Sequence, residues 1–371
     1  MDFTSDNTNG ADPAILRALI NANEGFTAAY GADHFTAAAL ARLSEVFEHE
    51  LAGFFVATGT AANALALAAI TPPFGAVFCQ EEAHIMKDEC GAPEMFSGGA
   101  KLIGVAGGAG RIATHNLKAR LAEFPRGAEK QVQPAALSLS QVTECGTVYT
   151  REELSVLCAL AHDAGLIVHM DGARFANALV SLYCTPAEMS WKAGVDVLSF
   201  GATKNGAVAC EVVIFFDEAL AADLPYLRKR SGHTISKGRF LGAQMIAYLE
   251  NDRWLKLAAA ANLRAQHLAN GLAKIPGVRL PWPCQANEVF AIIPRAIDRA
   301  LASNGARYYA WRLPSSEDAC APLRSDEVFV RLVASFATTR ADIDQFLQIA
   351  ADTIRDNDVN APLGLRATGP A

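Results

Sequence analysis

The chain has 371 residues, of which 51% are hydrophobic and 19% charged, and its formal net charge is −7. An intrinsically disordered chain would be poorer in apolar residues, and 28 glycines and 16 prolines are too few for a collagen-like or low-complexity sequence. The acidic balance, with one basic cluster at residues 228–230, Lys237 and Arg239, disfavours a nucleic-acid-binding protein.

The N-terminal residues MDFTSDNTNG lack the basic and apolar regions of a signal peptide. The eight cysteines form no C-x-x-C pair and no zinc-like spacing. They are scattered through apolar segments, as buried free thiols usually are. We therefore expect a cytoplasmic enzyme that binds no metal ion.

The stretch 51–80 contains no charged residue and is long enough to span a membrane. Its interior holds the polar turn 58–63 and the Pro72-Pro73 break, which a helix facing lipid rarely combines. We interpret it as a buried strand, a turn, a packed helix and a second strand, and we expect no membrane span.

From residue 51 to residue 216, short apolar runs alternate with helix-like segments. Runs such as LIVH and VVIFF lack strict alternation, which is typical of strands covered on both faces. This pattern predicts an α/β domain with a mostly parallel sheet. The predicted strands are 51–57, 76–80, 135–141, 166–170, 196–200 and 208–216, and the predicted helices are 60–70, 151–164 and 174–182.

After residue 216 the pattern changes to long helices and then to short strands, which predicts a second, smaller α/β domain. We expect an N-terminal arm over residues 1–12 that contributes to the active site, a large domain over 13–250, a small domain over 251–356 and a disordered tail over 357–371. The predicted helices here are 218–229, 236–250, 252–274, 296–303 and 340–355, and the predicted strands are 287–293, 307–311 and 328–333.

The pair Gly59-Thr60 follows the first predicted strand and opens a helix. Backbone N–H groups and a hydroxyl at a helix N-terminus form a site for phosphate or another anion. An ordinary threonine N-cap is an equally good explanation of this pair taken alone.

Three further residues follow the ends of predicted strands, where ligands of open α/β sheets bind. Asp171 can keep a ring nitrogen protonated, with Arg174 in reach, and Lys204 can act as an amine nucleophile when it is desolvated. His84 can stack on a planar cofactor or move a proton. Each of these residues, taken by itself, also has an ordinary structural explanation. Together, a phosphate turn, an acid and a lysine 33 residues later fit pyridoxal phosphate.

Six motifs resemble the L-threonine aldolase family of fold-type-I pyridoxal phosphate enzymes, above all its bacterial low-specificity threonine aldolase and phenylserine aldolase branch. They are FTSDN (3–7), TGTAAN (58–63), EEAHIMKDECGAPE (81–94), QVTECGTVY (141–149), HMDGARFANA (169–178) and WKAGVDVLSFGATKN (191–205). The likeness runs in the same order from about residue 3 to residue 350. It implies an aminotransferase-like fold, with a large domain built on a mostly parallel sheet and a smaller C-terminal α/β domain.

The resemblance also implies a role for each matching residue. Pyridoxal 5′-phosphate would be bound covalently by Lys204 as a Schiff base and otherwise by Gly59, Thr60, His84, Asp171, Arg174, Thr203 and, from a neighbouring subunit, Lys229. The substrate carboxylate would be bound by Ser5, Arg174 and Arg331. The catalytic residues would be Lys204, Asp171 and His84, with His84 as the candidate base.

The implied reaction is the reversible retro-aldol cleavage of L-threonine, L-allo-threonine or related L-β-hydroxy-α-amino acids, phenylserine included, to glycine and an aldehyde. A site completed by a neighbour implies a homodimer or homotetramer. Two alternatives remain open. One is a β-eliminating lyase or cysteine desulfurase of the same fold, and the other is a pyridoxal-binding protein without catalysis.

Overall fold

The computed structural model describes residues 1–314 and 322–359. Its larger sheet has seven strands, which are β1 (Ala52–Val56), β2 (Gly75–Gln80), β3 (Lys101–Val105), β4 (Gln133–Ser140), β5 (Ile167–Gly172), β6 (Val197–Gly201) and β7 (Glu211–Phe215). The order across the sheet is β1-β7-β6-β5-β4-β2-β3. Strand β7 runs antiparallel to both neighbours, and the pairs from β6 to β3 are parallel. The predicted mostly parallel sheet is confirmed, with an additional strand, β3, at its edge.

The helices around this sheet are α1 (Pro13–Ala22), α2 (His34–Phe47), α3 (Gly59–Ile70), α4 (His84–Lys87), α5 (Ala92–Phe96), α6 (Thr114–Ala122), α7 (Arg151–Asp163), α8 (Phe175–Leu182), α9 (Leu224–Arg230) and α10 (Arg239–Leu249). The prediction of one helix over 218–229 is wrong. A 3-10 helix, Glu218–Ala221, ends before α9 begins, and Pro225 lies in the first turn of α9, the only part of a helix that tolerates proline without loss of a hydrogen bond.

Helices cover both faces of the large sheet, and its central strands β2, β5, β6 and β7 are buried along nearly their whole length. On one face Phe78, Leu137 and Met170 pack with residues of α2, α7, α8 and α10. On the other face Val77 and Val213 pack with α3, most of which is buried. This double cover explains the continuous apolar runs of the sequence. Within the described residues, no helix has the length and apolar character needed to cross a membrane.

The C-terminal part is built from α11 (Arg253–Leu272), β8 (Glu288–Pro294), α12 (Arg295–Ser303), β9 (Tyr309–Ala310), β10 (Glu327–Val333) and α13 (Arg340–Val359). Its three strands form an antiparallel sheet in the order β8-β10-β9. One face of this sheet, with Val289 and Leu332, packs against the helices. The opposite face carries Phe290, Phe329 and Arg331, which line a cleft described below.

Helix α13 continues to Val359. The disordered tail over 357–371 stays a prediction, and its residues 360–371 lie outside the described residues. The division of the chain at residue 250 stays a prediction.

The first residues of the chain attach to the small sheet. The N–H of Phe3 donates to the carbonyl of Arg307 at 2.7 Å, and the N–H of Val333 donates to the carbonyl of Phe3 at 2.9 Å. Further along, the N–H of Asp12 donates to the carbonyl of Gly206, close to the end of β6, at 2.8 Å. Residues 4–7 are thereby carried across the cleft between the two sheets.

Candidate active site

Two connected cavities lie at the carboxyl ends of the parallel strands. The inner cavity has a volume of about 60 Å³ and the outer cavity about 780 Å³. Four residues line both cavities and mark their junction, namely His84, Glu144, Arg174 and Lys204. The inner cavity also contains Gly59, Thr60 and Asp171, and the outer cavity contains Ser5 and Arg331. The fold thus brings together every predicted site residue except Thr203 and Lys229.

The N-terminus of α3 forms one wall of the inner cavity. Thr58 caps the helix, because its Oγ1 accepts a hydrogen bond from the N–H of Ala61 at 3.2 Å. The N–H groups of Gly59 and Thr60 belong to the first turn and have no acceptor within the helix. The positive end of the helix dipole acts at the same place, so this wall can bind an anion.

Asp171 lies at the end of β5 and is only 7% exposed. Its Oδ2 accepts a hydrogen bond from Asn63 Nδ2 at 2.7 Å, and its Oδ1 accepts one from the N–H of Ala173 at 3.0 Å. Burial opposes ionisation of the carboxyl group, but the charges of His84 and Lys204 and these hydrogen bonds outweigh it and lower its pKa. Asp171 is therefore an ionised carboxylate inside the cavity.

His84 begins α4 and is held by a buried acid. Its Nδ1 lies 2.7 Å from Oε1 of Glu89, and the same oxygen accepts a hydrogen bond from Asn63 Nδ2 at 2.8 Å. The bond to Glu89 raises the pKa of His84, and burial raises the pKa of Glu89. The pair fixes the imidazole in the inner cavity and favours its protonated form.

Glu144, which the sequence reasoning did not single out, lies beside His84 at the junction of the cavities. The N–H of His84 donates to Glu144 Oε1 at 2.8 Å, and Ser140 Oγ donates to the same atom at 2.6 Å. Burial raises the pKa of Glu144 to about 7. The junction therefore contains a carboxyl group that can change protonation near neutral pH.

Lys204 lies in a 3-10 turn that follows β6. The next residue, Asn205, anchors this turn, since its Nδ2 donates to Tyr248 Oη at 2.9 Å. Thr203 has its Oγ1 turned toward β7, where it accepts a hydrogen bond from the N–H of Cys210 at 3.0 Å. Lys204 is thus presented to the cavities by a fixed turn, whereas Thr203 contacts the protein.

Arg174 is largely buried, with 13% of its side chain exposed, and is matched by two carboxylates. Its Nε and Nη2 donate to Asp6 at 2.7 and 3.1 Å, and its Nη1 lies 3.2 Å from Glu288 Oε2. Asp6 also accepts a hydrogen bond from Asn287 Nδ2 at 3.0 Å. Arg174 therefore joins the N-terminal arm to β8, and its charge is already compensated.

Arg331 is the cation of the outer cavity. Its guanidinium carbon lies 4.0 Å from the centroid of the Trp311 ring, and its Nη2 donates to the carbonyl of Thr4 at 3.3 Å. Among residues 1–314 and 322–359 no carboxylate lies within ion-pair distance of it. Ser5, in the same cavity, accepts a hydrogen bond at its Oγ from the N–H of Asn7 at 3.1 Å. Arg331 and Ser5 are therefore positioned to bind a carboxylate.

Lys229 lies outside both cavities. It is exposed on α9, and its Nζ lies 5.2 Å from the centroid of the Tyr30 ring. The predicted contact from a neighbouring subunit stays a prediction.

Aromatic rings form one wall of the outer cavity, which the sequence reasoning did not anticipate. The Trp282 ring centroid lies 5.4 Å from that of Phe290 and 5.9 Å from that of Phe329, and Trp282 Nε1 donates to the carbonyl of Cys145 at 2.5 Å. Such a wall can bind an apolar or aromatic group.

The unpredicted polar residues divide into two groups. Asp6, Asn63, Glu89 and Glu144 lie inside the motifs quoted above, so those motifs were the signal that could have identified them. Glu288 and Trp282 lie outside any motif, and only the folded arrangement brings them to the cleft.

The chain is similar to known proteins in sequence and in fold. A sequence model of the family described as beta-eliminating lyase matches residues 2–295. The chain is 43% identical over 314 residues to a low specificity L-threonine aldolase of Pseudomonas aeruginosa, covering 83% of this chain and 89% of that one. It is 42% identical over 309 residues to the low specificity L-threonine aldolase of a Pseudomonas species (strain NCIMB 10558), with the same coverage.

Among solved structures, a threonine aldolase of Leishmania major has a TM-score of 0.87 and 29% identity, covering 95% of this chain and 99% of that chain. A serine palmitoyltransferase with pyridoxal phosphate as an internal aldimine has a TM-score of 0.67 and 17% identity, covering 97% of this chain and 88% of that one. At this identity the second likeness shows a shared fold. Together they confirm the predicted aminotransferase-like α/β architecture.

Proposed function

The chain belongs to the beta-eliminating lyase family, and we propose that it is a carbon–carbon lyase of the threonine aldolase type. Its reaction is the pyridoxal-phosphate-dependent cleavage of L-threonine, L-allo-threonine and related L-β-hydroxy-α-amino acids to glycine and an aldehyde. The observation that carries this proposal is the position of Lys204 at the junction of the two cavities. An acid for a ring nitrogen lies on one side of it and a cation for a carboxylate on the other.

The donor set of the inner cavity fits pyridoxal 5′-phosphate. The N–H groups of Gly59 and Thr60 would hold the phosphate, and Lys204 would hold the aldehyde carbon covalently. Asp171 is ionised although nearly fully buried, and a protonated ring nitrogen gives such a carboxylate a cationic partner. His84, fixed by Glu89, would stack on the ring. When bound, the cofactor supplies an electron sink for the pair released from the Cα–Cβ bond.

The outer cavity would hold the amino acid. Arg331 and Ser5 bind the substrate carboxylate. The Trp311 ring packs against the Arg331 guanidinium and fixes its orientation. Arg174, whose charge Asp6 and Glu288 already match, holds the arm that carries Ser5. The β-substituent of the substrate then has the remaining space, including the aromatic wall at Trp282.

Lys229 lies outside both cavities of its own subunit, is exposed and is cationic, which supports a contact with the phosphate in a neighbouring subunit. The active form would then be a homodimer or homotetramer. The cytoplasmic location stays a prediction made from the sequence.

The test is product analysis with L-threonine, L-allo-threonine and phenylserine in the presence of pyridoxal phosphate. We expect equal amounts of glycine and aldehyde, and we expect Lys204→Ala to lose both this activity and the absorbance of the covalently bound cofactor. Lys192→Ala is the control, because Lys192 is exposed and pairs with Glu48 at 2.6 Å away from the cavities. Pyruvate and ammonia from L-serine, without aldehyde from the panel, would identify a β-eliminating lyase instead.

A further inference from the structure

Four residues, His84, Glu144, Arg174 and Lys204, line both cavities, and in the proposed arrangement the substrate Cα would lie at this junction. Retro-aldol cleavage needs a base there, because the β-hydroxyl group must lose its proton as the Cα–Cβ bond breaks. Besides Lys204, which is assigned to the cofactor, and Arg174, whose guanidinium has no proton-accepting atom, the junction offers two candidate bases, His84 and Glu144.

His84 already binds the protein through one ring nitrogen. Its Nδ1 lies 2.7 Å from Glu89 Oε1, and Glu89 is buried. This bond raises the pKa of the imidazole, so a pH limb set by His84 should depend on Glu89.

Glu144 has one carboxylate oxygen that lacks a hydrogen-bond partner in the described part of the chain. Its Oε1 accepts both of its hydrogen bonds, from the N–H of His84 and from Ser140 Oγ. Its Oε2 is enclosed and has no hydrogen-bond partner among residues 1–314 and 322–359. An enclosed acceptor without a partner is unfavourable, and a substrate hydroxyl at the junction would supply the missing donor.

We propose that Glu144 is the catalytic base for the β-hydroxyl group, an assignment that rests on the proposed aldolase function. The hydroxyl proton passes to Glu144 Oε2, the electron pair of the O–H bond becomes the second bond of the aldehyde carbonyl, and the Cα–Cβ bond breaks. The electron pair of that bond stays on the Cα fragment. Cα then takes up one proton to give glycine, and Glu144 releases its proton to solvent, so no proton is gained or lost overall.

The surroundings of Glu144 give the expected pH dependence. Burial raises the pKa of Glu144 to about 7, close to the working pH at which a general base is most effective. The titratable and charged groups that face it are Cys79, His84, Cys145, Tyr149, Asp171, Arg174 and Lys204. Since a base acts when deprotonated, kcat/KM should rise with pH through about 7 and then level off.

The decisive variant is Glu144→Gln, because the amide oxygen can still accept from His84 and Ser140 but cannot take up a proton. With the holoenzyme and L-threonine, we expect kcat to fall by about 10²- to 10⁴-fold, while cofactor absorbance stays. A second measurement is the exchange of the glycine α-proton in deuterated water, which needs no base for a β-hydroxyl group. This exchange should stay within about threefold of wild type.

Glu89→Gln separates the two candidate bases. It removes the partner that raises the pKa of His84, so a pH limb set by His84 would move to lower pH, and a limb set by Glu144 would stay. The assignment is overturned if Glu144→Gln keeps threonine cleavage within about threefold, if cleavage and glycine exchange fall together, or if Glu89→Gln moves the limb. If Glu144→Gln does not fold, the pH limb of Glu89→Gln alone tests the assignment of Glu144. If wild type itself releases no aldehyde, the proposed function fails instead.

Discussion

The ion-pair cluster of Arg174 allows a quantitative prediction. Its guanidinium contacts Asp6 through two hydrogen bonds and Glu288 at 3.2 Å, and the side chains of Asp6 and Glu288 are 2% and 1% exposed. Arg174→Gln would leave two buried carboxylates without their cation. Breaking a buried pair in this way costs about 3–5 kcal/mol. We therefore expect Arg174→Gln to destabilise the protein in addition to any effect on the substrate.

The expected shift in melting temperature follows from the size of the chain. An unfolding entropy of about 2.1 cal/mol/K per residue gives roughly 0.8 kcal/mol/K for 371 residues. A loss of about 3–5 kcal/mol then lowers Tm by about 4–6 °C. The assay is thermal unfolding near pH 7.5 at fixed protein and cofactor concentrations, because oligomerisation and ligand binding both change the apparent Tm. Arg174→Gln should also raise KM, since the arm that carries Ser5 loses its anchor.

Two comparisons decide whether the cluster is the cause. Arg151→Gln removes an arginine from an exposed pair with Glu188 and should change stability by less than about 1 kcal/mol. The pKa of Asp6 is lowered, since burial is outweighed by Arg174 and Lys204. Its stabilising contribution is therefore present at neutral pH and is lost as the pH falls from its unfolded value of 3.8 through the lower folded value, so the difference between the two proteins should shrink only below about pH 4. Equal Tm shifts for Arg174→Gln and Arg151→Gln would refute the reasoning.

Three further predictions concern the cavities. Arg331→Ala should raise KM for L-threonine about 10- to 100-fold with a smaller change in kcat, because a charged hydrogen bond contributes about 1.5–3 kcal/mol. Steady-state kinetics measure both constants, and an unchanged KM would exclude Arg331 from substrate binding. Asp171→Asn should lower kcat by at least about 100-fold with the protein still folded, since a neutral amide lacks the negative charge that stabilises a protonated ring nitrogen. Circular dichroism checks the fold and single-turnover kinetics the rate, and near-normal turnover would contradict the assignment of Asp171. Trp282→Ala should raise KM for phenylserine about 2- to 12-fold more than KM for L-threonine, because it removes an aromatic contact of about 0.5–1.5 kcal/mol, and equal changes would place the phenyl group elsewhere.

The elements that the sequence predicted are those with strong, continuous signals. The strands of the sheet centre are buried on both faces and therefore read as unbroken apolar runs. Strand β3 escaped prediction because it is a short edge strand that starts with the exposed Lys101 and buries only Ile103 and Val105. Helix α1 carries a clear start signal, Asp12 followed by Pro13, but it precedes the alternating pattern of strands and helices from which the domain was inferred.

In the site, the sequence predicted the residues that follow strand ends and not the partners that set their charge. Asp171 and Lys204 could be identified because the predicted strands 166–170 and 196–200 end shortly before them. The partners of Arg174 could not, since Asp6 lies 168 residues away and Glu288 belongs to the second sheet. Of the two arginines assigned to the substrate carboxylate, Arg174 is therefore already neutralised by Asp6 and Glu288, whereas Arg331 has no carboxylate partner among residues 1–314 and 322–359.

Asp171 and Glu144 are the two acids assigned to the reaction, and their different surroundings shift their pKa values in opposite directions. Asp171 lies near the positive charges of His84 and Lys204, which lower its pKa, so it keeps its negative charge. Glu144 Oε1 accepts hydrogen bonds from a neutral backbone N–H and a hydroxyl, and burial raises the pKa of Glu144 to about 7. Carboxyl groups whose environments push their pKa values apart take different roles in one site. A fixed anion that would pair with the ring nitrogen of the cofactor and a proton acceptor at the junction are two roles that the proposed retro-aldol cleavage requires.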